Sequence, residues 1–133
     1  MKFSLALDQF GIKVLANTDK VRRASILELF QLVVMSTPVD TGRLRGNWQA
    51  SVNTPILTET ARKDPAGSAV VAEVLANMGG LPDAVYFTNN LPYAEAIEYG
   101  HSKQAPEGMV RKNVARWPDI VRAKAKHFGR GAA

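Results

Sequence analysis

Cysteine is absent from this 133-residue chain. That excludes a disulfide framework, a thiolate nucleophile and any cysteine-ligated zinc centre. Histidine occurs only twice, at His101 and His127, which leaves few places for histidine-based catalysis or metal binding. Aromatic residues make up 8% of the chain, with no run of them that would mark an aromatic RNA-binding surface. No apolar stretch reaches the length needed to cross a membrane. The opening MKFSLALDQFGIKVLANTD has a short apolar run broken at Asp8 and Gln9 and lacks the apolar core of a signal peptide. The expectation is a protein made and used without crossing a membrane on its own signal.

What remains is an ordinary globular composition, 46% hydrophobic and 22% charged, in a chain long enough for one domain with a real core and too short for two. The formal charge is +5, and it falls in blocks. Met1–Lys63 carries nine basic and five acidic residues, Asp64–Glu107 one basic and six acidic, and Gly108–Ala133 seven basic and one acidic. Such blocks suit a solvated mixed surface. They equally suit a molecule with faces of opposite sign, able to associate head to tail or to thread a polyanion.

The chain turns on Thr37-Pro38-Val39-Asp40-Thr41-Gly42-Arg43-Leu44-Arg45-Gly46-Asn47-Trp48. Before it, Ile26, Leu27, Phe30, Val33 and Val34 recur at helical spacing. After it, Leu44, Gly46, Trp48, Ala50 and Val52 alternate with polar residues, the period of a half-buried strand. Pro38 disfavours the α region at Thr37 and ends the helix there. Asp40-Thr41-Gly42 supplies turn chemistry. This reading puts Arg43 and Arg45, with Asn47 and Gln49, on the strand face that Trp48 does not use.

Residues 1–36 read as one long helix striped by Leu7, Phe10 and Val14, kinked or broken near Asn17, where Asn17 or Thr18 could cap a second segment. Between Ile26 and Met35 only Glu28 and Gln31 are strongly polar, so nearly every side must be covered, either by other helices of the chain or by another subunit. The first strand spans Leu44–Asn53, and Thr54–Lys63 is a second short strand or an extended loop. Asp64-Pro65 starts a helix with the aspartate as its cap. Val70, Val71, Val74, Leu75 and Met78 carry that helix to Gly79-Gly80. Ala84–Thr88 is a strand, Tyr93–Tyr99 a short helix stopped by Gly100, and His101–Ala105 a linker. A last helix starts at Pro106-Glu107, striped by Val110, Val114, Trp117, Val121, Ala125 and Phe128, and Pro118 kinks it or splits it after Trp117. The expected fold is α+β. A small, mostly antiparallel sheet carries a long N-terminal helix and a C-terminal helix packed on it, as one domain over residues 1–128 with a flexible tail over 129–133.

Catalytic constellations fail one by one. Glu98 and His101 have the spacing of a Glu-x-x-His half-site, but a di-metal centre needs a second such pair and more carboxylates, and Gly100 interrupts the helix. Pro82-Asp83 with Glu95-Ala96-Ile97 has isoleucine where a nuclease core needs lysine. Gly42–Gly46 lacks the spacing and the lysine of a phosphate-binding loop, and no serine sits in a nucleophile elbow. The reading is a non-enzyme without cofactor or metal. Binding remains, with Arg43, Arg45, Trp48, Tyr93, Glu98, Tyr99, His101 and Arg111 as candidates for a subunit interface or a DNA-facing surface. Tyrosine and arginine suit interfaces, although both tyrosines could equally cap the chain's own core. Glu98 and Arg111 could pair within one chain or across two. No helix-turn-helix or zinc finger is present, so any DNA contact would be diffuse and salt-sensitive.

TPVDTGRLRGNW, followed much later by NNLPYAEAIEYGHSKQAPEGMVR, resembles the tail-completion and head–tail joining (neck) proteins of long-tailed bacteriophages. These are small ring-forming connector proteins that include the lambda-type minor tail protein Z. The likeness covers Leu5 to Phe128 in the family's order. It implies the same α+β fold and a structural virion protein at the head–tail junction or tail end. It also implies a sixfold ring of copies between connector and tail-tube proteins, with DNA passing through the centre. Assembly in the bacterial host cytoplasm, without a membrane partner, follows from the same likeness. On this expectation the acidic middle segment of one subunit faces a basic surface of the next. The rival reading is a nonspecific nucleic-acid-binding module, suggested by the basic C-terminal segment.

Overall fold

A computed structural model describes residues 2–6, 11–15, 19–77 and 84–132. The fold is α+β. A four-stranded antiparallel sheet, ordered β1-β2-β4-β3, is built from β1 (Lys2–Ala6), β2 (Gly11–Leu15), β3 (Trp48–Val52) and β4 (Val85–Asn89). The long helix α1 (Asp19–Ser36) and the C-terminal helix α6 (Trp117–Ala132) pack together. Between them in sequence lie α2 (Arg43–Gly46), α3 (Ser68–Asn77), α4 (Ala94–Glu98) and α5 (Arg111–Val114).

The largest correction falls at the N-terminus, where a strand pair replaces the expected helix. Phe3 stands opposite Val14 and Leu5 opposite Ile12 in the β1–β2 register. Apolar residues therefore alternate with Ser4 and Lys13, and the period is two rather than helical. Leu7, Phe10, Asn17 and Thr18 lie outside the described residues. The helix proper begins at Asp19 and ends at Ser36, one residue before the position restricted by Pro38.

α1 fills the centre of the molecule. Ile26, Leu29, Phe30, Val33 and Val34 are buried among Trp48, Val70, Val74, Phe87, Met109, Trp117 and Ile120. The chain's own sheet and helices therefore cover this helix, and of its apolar residues in this stretch only Met35 is exposed. Phe30, Phe87 and Trp48 form a stack, with centroids 4.3 Å and 4.9 Å apart and rings within 14° of parallel.

The turn differs from its expected form as well. Residues 43–46 make one helical turn, α2, and the strand begins only at Trp48. Arg43 and Arg45 consequently do not share a strand face with Gln49. Gly42, at φ +88°, leads into this turn. A Cβ there would come within 2.6 Å of the Pro65 ring, so both conformation and space call for glycine. Residues 53–63 form an extended loop without a strand. It is held across the sheet by Thr88 Oγ1 and Asn90 Nδ2 donating to Ile56 O, at 3.0 and 2.9 Å, and by Gln49 Nε2 donating to Thr58 O at 2.7 Å.

Asp64 caps α3 from further back than expected. Its Oδ2 accepts from Val70 N at 2.9 Å while the helix itself starts at Ser68. The expected last helix is two helices. Residues 106–110 are turns, α5 follows, and the break lies at Ala115–Arg116, ahead of Trp117 rather than after it. Pro118 then occupies the first turn of α6, where its missing N–H is an orphan in any case. Among the α6 residues whose side chains are described, Trp117 and Ile120 are buried, Val121 and Lys124 are half-buried and Ala125 is exposed, while Phe128 of the expected stripe lies outside them. The helix bounds reach Ala132.

Candidate functional site

β3 is an edge strand, yet its outer edge is closed by side chains. Arg62 Nη2 donates to Trp48 O at 2.8 Å, Ala50 N donates to Glu73 Oε1 at 2.8 Å, and Asn77 Nδ2 donates to Ala50 O at 3.3 Å. Arg62 also binds Gly46 O and pairs with Glu73 at 2.9 Å. A free edge is a template for strand addition; here α3 and the loop before it occupy that template.

Arg45 is a bracket rather than a surface cation. Its Nη1 donates to Pro65 O at 2.7 Å, and its Nη2 to Thr37 O at 2.9 Å and Met35 O at 3.4 Å. A guanidinium at the carbonyl end of α1 also complements the helix dipole. Burial pushes the Arg45 guanidinium below the usual arginine value, and the Asp64 charge works in the other direction. Trp48 is fully buried, and its Nε1 donates to Thr37 Oγ1 at 2.9 Å, which in turn donates to Val33 O at 2.7 Å. Trp48 is therefore an interior residue and presents nothing to a partner.

Glu98 is interior too, 1% exposed. Its carboxylate accepts from Met109 N and Val110 N at 2.7 Å, from Arg111 N at 2.9 Å and from Arg111 Nε at 3.0 Å. Successive backbone N–H groups wrapped around a carboxylate form an anion nest, and the anion is the chain's own. Gly108, at φ +86°, makes this possible, since a Cβ there would lie 2.3 Å from Glu98 O. Of the two expected pairings for Glu98 and Arg111, the one within a single chain is realised. The Arg111 guanidinium also sits 4.3 Å over the Tyr99 ring, a cation–π contact at the surface.

The two distant sequence blocks come together in space. Asn89 Nδ2 donates to Leu44 O at 2.8 Å, Trp48 stands opposite Asn89 in the sheet, and Val39 N donates to Gln104 Oε1 at 3.1 Å. Between them lies a surface groove of about 300 Å³, walled by the 38–44 turn on one side and by Tyr93, Ile97, Ser102 and Gln104 on the other. Tyr93 and Tyr99 are 42% and 54% exposed, so both present their rings to solvent. Arg43, on the groove, pairs with Glu59 at 2.9 Å with both side chains nearly half exposed, a contact worth little by itself. His101 is exposed, and its backbone N donates to Ala96 O at 3.2 Å.

The groove joins Tyr93 and Arg43 from the candidate set, and Tyr99, Glu98 and Arg111 form a neighbouring unit in sequence. Val39, Ile97 and Gln104 were not singled out from the sequence. Their contact closes over a long separation, and no local spacing could have pointed to it. Among the described residues no group of three His, Cys, Asp or Glu could hold a metal ion, and no helix is long and apolar enough to cross a membrane. Comparison with protein-family models, curated proteins and solved structures finds no match to this chain.

Proposed function

We propose that this chain is a structural protein of a tailed bacteriophage or prophage, one subunit of a ring at the head–tail junction or tail end through which DNA passes. The reading rests on the resemblance carried by TPVDTGRLRGNW and NNLPYAEAIEYGHSKQAPEGMVR. One observation supports it most: these two stretches, far apart in sequence, build opposite walls of a single surface groove. A motif that served only to fill the interior would not leave Tyr93, Arg43 and Val39 on one open face.

The groove and the exposed rings of Tyr93 and Tyr99 are the subunit contact in this reading, because aromatic anchors carry the energy of most interfaces. Opposed charge blocks contribute less to the ring in this reading than the linear charge count suggests. In the acidic segment, Asp64 caps α3, Glu73 pairs with Arg62, and Glu98 is enclosed by backbone amides. Of the six acids in that segment these three are engaged within the chain, while Glu95 and Glu107 are exposed.

Complementation of a phage lacking this gene, followed by negative-stain imaging, tests the reading. Tails without the protein are expected to remain unjoined or irregular in length, and wild-type protein to restore them. A Tyr93→Ala, Tyr99→Ala double variant is expected to fold and fail to restore. Normal infectious particles in the absence of the protein would overturn the proposal.

A further inference from the structure

The basic residues of the C-terminal segment are distributed in a way the ring contact does not use. Asn113, Trp117 and Ile120 face the core, while Lys112, Arg116, Arg122 and Lys126 are exposed. Arg122 and Lys126 are four residues apart and lie on one side of α6, while Lys112 lies in α5 and Arg116 in the turn between the two helices. Arg116 O accepts from Ile120 N at 2.9 Å, which joins the end of α5 directly to the first turn of α6. The four exposed cations therefore follow one another in sequence across α5, the turn and α6. Among the described residues, Lys112, Arg116 and Lys126 pair with no carboxylate, and the single acid in the row, Asp119, pairs with Arg122 at 2.9 Å with both side chains over 70% exposed.

The orientation of this row is set by the chain's own packing. Asn113 Nδ2 donates to Leu32 O and Ser36 Oγ at the end of α1, while Lys124 meets Glu28 at 3.6 Å further back along it. α6 thus runs antiparallel to α1 and rests its apolar side on it.

We infer that the outer face of α5 and α6 is a contact surface for the phosphate backbone of duplex nucleic acid, without sequence preference. Unpaired lysine and arginine heads in a row are suited to a polyanion, because each neutralised phosphate releases condensed counterions. The row holds no asparagine or glutamine to read base edges, so the contact is to the backbone alone. A second copy of this chain is a poorer occupant, since Asp64, Glu73 and Glu98 of its middle segment are engaged internally and Glu95 and Glu107 are the exposed carboxylates among that segment's described residues. An anionic membrane is a poor occupant as well. Interfacial helices need a free apolar side to insert, and that of α6 is covered by α1.

This inference stands on charge and packing, and does not require the ring. The test is binding of a fluorescent duplex of arbitrary sequence to the purified chain, titrated over salt concentration. Binding is expected at low salt, weakening linearly in log–log terms. Lys112→Ala, Arg116→Ala and Lys126→Ala are each expected to reduce the slope by about 1, equally for unrelated sequences. Lys103→Ala, on the linker outside α5 and α6, is expected to leave the slope unchanged, and thermal melts establish that every variant is folded. Absence of binding at low salt would overturn the inference. So would an unchanged slope in the triple variant, or retention on phosphatidylserine vesicles with none on DNA. Failure here leaves the phage complementation result untouched, so the two proposals fall separately.

Discussion

Arg45 shows how far one side chain can be diverted from the role its sequence context suggests. Flanked by Leu44 and Gly46 in an apparent alternation, it looks like an outward cation. In the fold it ties three carbonyls from the end of α1 and the start of α3 into one point. Lysine cannot reproduce that fork. Arg45→Lys is therefore expected to lose most of the stability that Arg45→Ala loses, about 2 kcal/mol, measured by urea denaturation. A lysine variant as stable as wild type would show that charge alone suffices. Trp48 makes the complementary point. Its neighbourhood was legible as an apolar strand position, but its hydrogen bond to Thr37 was not, because that contact depends on where the helix ends relative to the turn. Glu98 was read as an ion-pair candidate, and the pair with Arg111 exists. The three backbone amides that dominate its surroundings leave no signature in side-chain spacing. Glu98→Ala is expected to cost about 3 kcal/mol by uncapping buried amides, with a lower denaturation midpoint as the readout.

Elements were readable where their punctuation was local. Pro38 ends α1 and Gly100 stops the turn after α4, each through restrictions a single residue imposes. The N-terminal strand pair was missed because Leu7, Phe10 and Val14 offer a helical spacing that competes with the alternation of Phe3, Leu5, Ile12 and Val14. Pairing with β4, far away in sequence, favours the latter. The start of α2 in place of a strand likewise reflects a tertiary demand. A Cβ on Gly46 would fall 2.5 Å from Arg62 O, so the loop carrying Arg62 must pass against this turn. That loop and α3 together close the edge of β3. Glu73→Ala removes the acceptor for Ala50 N and the partner of Arg62, exposing the strand edge. The expected result is a stability loss of about 1–2 kcal/mol together with concentration-dependent aggregation by light scattering. A variant that stays monomeric at high concentration would mean that the edge is protected by something else.

At the scale of the whole molecule, the charge blocks of the sequence divide into two fates. Three acids of the acidic block are engaged inside the chain, as a helix cap, an ion pair and a nested carboxylate, while Glu95 and Glu107 are exposed. The basic block lies along the outside of α5 and α6. A linear charge count could not separate these outcomes, because it does not know which carboxylates meet amides. The two motif blocks behave in the opposite way, since separation in sequence becomes adjacency around a groove. An α+β architecture was legible from the mixture of periods, whereas the groove proposed as the subunit contact depends on long-range contacts such as Val39 with Gln104.

The central claim, that this chain is a passive ring segment of a tailed particle, is tested most directly by quantitative mass spectrometry of purified virions. The account predicts that the chain is present at low, fixed stoichiometry, on the order of six copies per particle as closed cyclic symmetry implies, and that it remains through density-gradient purification. Particles that are complete and infectious yet contain none of it would contradict the account.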